Sequence, residues 1–123
     1  MGDLSRNFSL WEFECRCGCG FGDIKPLLVS SLQKIRDHFG KPVHVNSGCR
    51  CAEHNRRVGG SKISQHLYGL AADIRVEGAT PEETARFAVT LAPFRDGGIG
   101  VYAWGVHLDI RHEGPARWGR KWR

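Results

Sequence analysis

Three side chains combine the types and spacing that can hold a divalent metal. His66 and Asp73 lie seven residues apart in the segment Ser64-Gln65-His66-Leu67-Tyr68-Gly69-Leu70-Ala71-Ala72-Asp73-Ile74. Asp73 sits inside an otherwise apolar run, where a carboxylate is costly unless it is paired or bound to a cation. Further on, Val106-His107-Leu108-Asp109-Ile110 alternates apolar and polar residues. In a strand this alternation turns His107 and Asp109 to one face. Two imidazoles and one carboxylate, with a fourth position left for water, make a catalytic zinc set. The same residues can also be read as an arginine-paired Asp73 with ordinary surface histidines, and spacing alone leaves both readings open. The helical His-Glu-x-x-His motif is absent.

The cysteines form a second group. Cys15, Cys17 and Cys19 alternate in one cluster, and Cys49 and Cys51 form another. Five is an odd number, which argues against a fully paired disulfide framework. Reduced thiols or a structural metal drawing on these five residues fit better. Neither cluster has the two-residue gap of common zinc knuckles.

These groups need elements to position them. Ser9-Leu10-Trp11-Glu12 reads as a capping box opening a short helix, which the glycine-rich stretch from Cys17 to Gly22 ends. Pro26 opens a second helix, with Leu28, Leu32, Ile35 and Phe39 at helical spacing and Gly40 as its stop. Pro42 to Asn46 alternates as a half-buried strand. Residues from Glu53 to Gln65 are mostly polar, and Gly59-Gly60 marks a loop. Leu70 to Val76 reads as a buried strand. Thr80-Pro81-Glu82-Glu83 is a capping box for a helix running to about Leu91. After a turn at Gly97-Gly98, Ile99–Tyr102 and Val106–Ile110 read as a hairpin. The order predicts one α+β domain over residues 1–123, a small antiparallel sheet with flanking helices.

Composition narrows the function classes. No apolar run reaches the length of a membrane span, so no membrane span is expected. The segment Met1–Ser9 is polar and has no apolar signal-peptide core, so the protein is expected to be cytoplasmic when made. Lys and Arg exceed Asp and Glu by 18 to 13, and Arg111, Arg117, Arg120, Lys121 and Arg123 concentrate the excess at one end. A basic tail favours anionic polymers such as cell wall or nucleic acid, or it only solubilises the terminus. Trp118 and Trp122 in that tail could stack on a ligand or pack on the core.

Ser47-Gly48-Cys49-Arg50, His54-Asn55, Val58-Gly59-Gly60, Ser64-x-His66, Gly69-x-Ala71-x-Asp73 and Val106-His107-x-Asp109 together resemble the zinc D-alanyl-D-alanine carboxypeptidases. That family includes L-alanyl-D-glutamate endopeptidases of phage lysins and shares its fold with the hedgehog signalling domain. The resemblance runs in order from about Phe8 to Trp118, and Asn7–Phe13 is similar to small phage and prophage members. It implies His66, Asp73 and His107 as ligands of one catalytic zinc. It implies Arg50 as the group that steadies a substrate carboxylate or oxyanion, and Ser64 as a hydroxyl supporting the first ligand.

Two departures matter. Many relatives carry an acid three places before the last histidine, and here that place is Trp104. Asp109 is therefore the expected general base, unless it only orients a ligand or pairs with Arg111. Cys49 and Cys51 replace commoner Tyr and Ser, which keeps a structural metal in view. The resemblance implies a peptidase acting on peptidoglycan peptides, as a monomer, in a phage- or prophage-type lytic role on the wall after release. A binding module that kept the fold and lost catalysis is the alternative. A nucleic-acid-binding zinc protein is the weaker rival, because it leaves Asp73 unexplained.

Overall fold

Pro26 sets the backbone angle at a first helical position, and Leu28, Leu32 and Ile35 repeat on one helix face, so helix α1 forms over Pro26–Phe39 and stops at Gly40. The computed structural model describes residues 2–123. After α1 come strand β1 (Val43–Ser47), helix α2 (Ala52–Arg57), strand β2 (Ala71–Val76), helices α3 (Pro81–Ala88) and α4 (Ala92–Arg95), and strands β3 (Gly98–Tyr102), β4 (Gly105–Asp109) and β5 (Ala116–Gly119). Single 3-10 turns cover Leu10–Glu12 and Gln65–Tyr68.

The strands form one sheet in the order β1-β2-β4-β3-β5. The first four pair antiparallel, and the β3–β4 hairpin is as expected. One sheet face is apolar: Ala72 and Ile74 of β2, Val106 and Leu108 of β4, and Ile99 and Val101 of β3 are fully buried. They join one core with Leu28, Leu32 and Ile35 of α1, Ala85 and Ala88 of α3, and Phe94 of α4. Each large side chain buried there stabilises the fold by about 1.5–3 kcal/mol. Strand alternation then turns the intervening residues, Asp73, His107 and Gly100, to the opposite face.

The ends of the chain are tied to this core. Phe8 and Phe13 are buried with ring centroids 5.8 Å apart. Trp122 is buried, and its carbonyl accepts a hydrogen bond from Arg86 at 2.8 Å. Of the two tail tryptophans, this one therefore packs on the core.

Three elements differ from the expectation. Cys51 caps a helical turn by accepting from the His54 N–H, so polar Ala52–Arg57 is helix rather than loop. The helix expected to reach Leu91 ends at Ala88, and Pro93 starts the separate turn α4. Strand β5, lying in the basic tail, pairs parallel with β3 and makes the sheet mixed. Its Arg-Trp-Gly composition carries no alternating pattern that would announce a strand.

Candidate active site

One row of residues crosses the whole sheet. Ser47 of β1 pairs with Asp73 of β2, Asp73 with His107 of β4, His107 with Gly100 of β3, and Gly100 with Trp118 of β5. Four of the five carry functional side chains on the face opposite the core. The fifth makes room: a Cβ at Gly100 would lie 2.3 Å from the Trp118 indole nitrogen. The 3-10 turn Gln65–Tyr68 brings in His66, with the Ser64 hydroxyl accepting from the His66 N–H at 3.2 Å. Ser64 thus acts on the backbone of the turn.

His66, Asp73 and His107 converge, with one nitrogen or oxygen from each within 4.8 Å of the others. Their protons can be assigned from their partners. His66 Nδ1 lies 2.6 Å from the Gly48 carbonyl oxygen, which can only accept. The proton is on Nδ1, and Nε2 presents a lone pair. His107 Nε2 lies 2.8 Å from an Asp109 oxygen and donates to it, so Nδ1 presents the lone pair. Both free nitrogens face the same oxygen of Asp73, at 3.2 Å from His66 and 3.0 Å from His107. Three electron-rich atoms turned to one point repel one another unless a cation or an added proton lies between them. This donor set fits a divalent metal bound by two imidazoles and a carboxylate. The carbonyl and carboxylate behind the rings are the supports that metal-binding histidines use.

Electrostatics agree with the geometry. Burial raises the Asp73 carboxyl pKa, but hydrogen bonds and charge from His107 and His66 outweigh it and hold the group well below the usual carboxylate range. Burial alone lowers the His107 pKa, and its bonds to Asp109 and Asp73 reverse this and raise it. A metal ion supplies the same positive charge without the proton.

Arg50 completes the support of Asp73. Its Nη2 donates to the second Asp73 oxygen at 3.1 Å, its Nε to Ser47 at 3.1 Å, and its Nη1 to Asn55 at 3.3 Å. Buried Asn55 is itself held by donating to the Ser61 carbonyl at 2.8 Å. The guanidinium is fixed at the wall of the cleft, with edges left to meet a ligand.

Asp109 stands elsewhere than expected for a general base. It has no solvent exposure and does not line the cleft. Its oxygens accept from Arg111 at 2.9 and 2.7 Å, from the Gly98 N–H at 2.9 Å, and from His107. Burial opposes its ionisation, but Arg111 and His107 hold its pKa well below the usual range. Asp109 is therefore an ionised group that orients His107. Asp109 thus makes both contacts weighed from sequence, with Arg111 and with the His107 ring, a candidate metal ligand.

The cleft has a volume of about 590 Å³ and is lined by His66, Asp73, His107 and Arg50, with Tyr102, Trp104, Trp118 and Glu113 among the other walls. Trp104, where many relatives have an acid, stacks on Tyr102 with centroids 5.1 Å apart. Trp118 donates to the Tyr102 hydroxyl at 2.6 Å, stands 5.0 Å from the His107 ring, and carries the Arg111 guanidinium 5.4 Å from its centroid. Sequence left open whether Trp118 meets a ligand or the core; the parallel strand β5 brings it to the cleft, where it joins Tyr102 and Trp104 in an aromatic wall that no local pattern announced. Glu113 and Asp73 are the only carboxylates among the described residues lining the cleft. Glu53 instead pairs with Arg57 on the surface.

The cysteines divide. Cys15, Cys17, Cys19 and Cys51 converge, whereas Cys49 is buried in the hydrophobic core. Burial raises the Cys49 thiol pKa to about 11. Cys49 therefore drops out of the structural-metal set.

The sequence matches the family model described as Peptidase M15 over residues 6–109. It is 33% identical over 103 residues to the peptidoglycan L,D-endopeptidase MepK of Escherichia coli K12, covering 76% of this chain and 53% of that protein. The Shigella flexneri protein of the same name matches to the same extent. The zinc D-Ala-D-Ala carboxypeptidase of Streptomyces albus G is 48% identical over 44 residues, covering 35% of this chain and 17% of that protein. The chain spans about half the length of the enterobacterial relatives it matches.

Proposed function

This chain belongs to the peptidase M15 family, and from that premise we propose that it is a zinc metallopeptidase that hydrolyses peptide bonds in bacterial peptidoglycan. The observation that carries the proposal is the convergence of His66 Nε2, His107 Nδ1 and one Asp73 oxygen, with both histidine tautomers set by partners behind the rings. Zinc held by such a set acts as a Lewis acid and brings water near to ionisation at neutral pH.

The protein residues do the rest. Asp109 holds the His107 ring so that Nδ1 faces Asp73, and the Gly48 carbonyl does the same for His66 Nε2. Arg50 neutralises the second oxygen of Asp73 and offers its remaining N–H groups to the cleft, where a substrate carboxylate or developing oxyanion would find a fixed fork. Glu113 lines the cleft and is exposed, and it is the carboxylate we assign to take a proton from water and return it to the leaving amine. Tyr102, Trp104 and Trp118 offer flat apolar surface to the substrate backbone or an adjoining sugar.

Two names support the substrate class: the Escherichia coli relative is a peptidoglycan endopeptidase, and the Streptomyces relative is a D-Ala-D-Ala carboxypeptidase. The similarity of Asn7–Phe13 to small phage and prophage members supports a lytic role of that type. The deciding experiment is digestion of purified peptidoglycan with identification of released fragments by mass spectrometry. Peptide-bond cleavage that stops on chelation and resumes with zinc is expected. Zinc-loaded protein that binds walls but releases no fragments would establish the inactive binding module instead.

A further inference from the structure

The four cysteine sulfurs form a second constellation that the proposed reaction does not use. Cys15, Cys17 and Cys19 lie on the glycine-rich loop before α1, and Cys51 is the N-cap of α2. All four sulfurs lie within 4.8 Å of one another. Cys15 and Cys17 are 3.4 Å apart, Cys17 and Cys51 3.7 Å, and Cys15 and Cys51 3.9 Å. Zinc–thiolate bonds of 2.3 Å in a tetrahedron put neighbouring sulfurs about 3.8 Å apart. The three distances bracket that edge length. They are too long for disulfides, whose sulfurs sit about 2.05 Å apart, and all four thiols are free.

Two backbone N–H groups point at sulfurs of the set. The Cys51 N–H donates to the Cys15 sulfur at 3.4 Å, and the His54 N–H donates to the Cys51 sulfur at 3.4 Å. Positive φ angles at Gly18 and Gly20 let the loop curl so that alternating cysteines turn to one point. The loop between the cysteines contributes only Arg16 and Gly18, neither of which builds a core. A multi-iron cluster divides its cysteines between iron atoms, which would set sulfurs on different irons further apart than the 3.4, 3.7 and 3.9 Å found among Cys15, Cys17 and Cys51.

We propose that Cys15, Cys17, Cys19 and Cys51 hold a structural zinc ion that fastens the glycine-rich loop to the start of α2. Each thiol loses its proton to solvent and each sulfur donates one electron pair, with no change of oxidation state. The clip acts on the active site through the chain. Cys51 follows Arg50 directly, and α2, which Cys51 caps, carries the Asn55 that accepts from Arg50. The adjoining Cys49 N–H is bonded to the Phe13 carbonyl at 2.8 Å, so the segment is held on both sides. Cross-linking residues this far apart in sequence also removes loop freedom from the unfolded chain.

The test uses the full chain, purified under reducing conditions with zinc present and passed through desalting. Elemental analysis of the unaltered protein should find two zinc ions per chain. The double variant His66→Ala/His107→Ala should keep one, and X-ray absorption on it should report an all-sulfur shell at about 2.3 Å. Adding Cys17→Ser and Cys19→Ser should remove that ion. A double variant without zinc, a nitrogen or oxygen shell in place of sulfur, or bound iron would overturn the proposal. Should the histidine variant fail to fold, the unaltered protein decides: sulfur in its zinc shell supports the site, and a sulfur-free shell refutes it. These readouts are independent of peptidase activity, so failure here is distinguishable from failure of the catalytic reading.

Discussion

Asp109 accepts the Nε2–H of His107 at 2.8 Å from a position with no solvent exposure. This contact determines which nitrogen of His107 is free to face Asp73, and it removes Asp109 from the cleft. The variant Asp109→Asn should therefore lose metal affinity before it loses anything else, by about 10- to 100-fold as measured against a competing chelator. Arg111 would lose its carboxylate partner. Because that guanidinium is partly exposed, the cost should be on the order of 2–3 kcal/mol, below the range for fully buried pairs. Unchanged zinc affinity with turnover abolished would restore Asp109 as the base.

Metal dependence can be checked directly. A chelator strong enough to strip the histidine site should abolish release of peptidoglycan fragments, and added zinc should restore it. His66→Ala or His107→Ala should give protein that zinc no longer rescues. Full zinc occupancy of that site in both variants, resolved from any thiolate-bound ion by X-ray absorption, would remove these residues from the ligand set.

Glu113 is the proton carrier in this reading. Glu113→Gln should keep zinc and fold, since the side chain is exposed, and should reduce kcat by about 100- to 10,000-fold. Near-normal turnover in that variant would point to solvent as the proton acceptor.

Arg50 tests the fork. Arg50→Lys keeps one positive charge but cannot reach Ser47, Asn55 and Asp73 together, as the guanidinium does. A drop in kcat/KM of at least about 10-fold is expected, with zinc retained in the purified protein. Kinetics on a defined stem peptide measure it, and an unchanged kcat/KM would show that Arg50 only props Asp73.

Gly69 links fold and site. It adopts φ +69° at the end of the turn carrying His66, and a Cβ there would lie 1.9 Å from the Asp23 carbonyl oxygen. Gly69→Ala should lower stability by at least about 1 kcal/mol and weaken zinc binding together with it. Denaturant melts of the metal-free and zinc-loaded protein read both effects, and a variant as stable as the parent would contradict the geometry.

The local elements were legible because their signals are local. Leu28, Leu32 and Ile35 repeat at helical period, Thr80 and Glu83 form a capping box, and alternation around His107 marks a strand. The candidate ligands were legible for a related reason: Asp73 is a charge within an apolar strand, and such a charge needs a partner. Sequence also grouped the cysteines, through their clustering alone. What it could not decide depends on register and on contacts between distant segments. Only the pairing of Asp73 with His107, and of Gly100 with Trp118, puts the candidate metal ligands and the aromatic wall on one row. Only packing separates Cys49, which faces the core, from Cys51, which meets Cys15 and Cys17 two residues further on. Asp109 is the clearest case. Strand alternation correctly put it on the face of His107, but alternation has no depth, and Arg111 with the Gly98 N–H closes over Asp109 and makes it a support for the ring instead of a group that meets water.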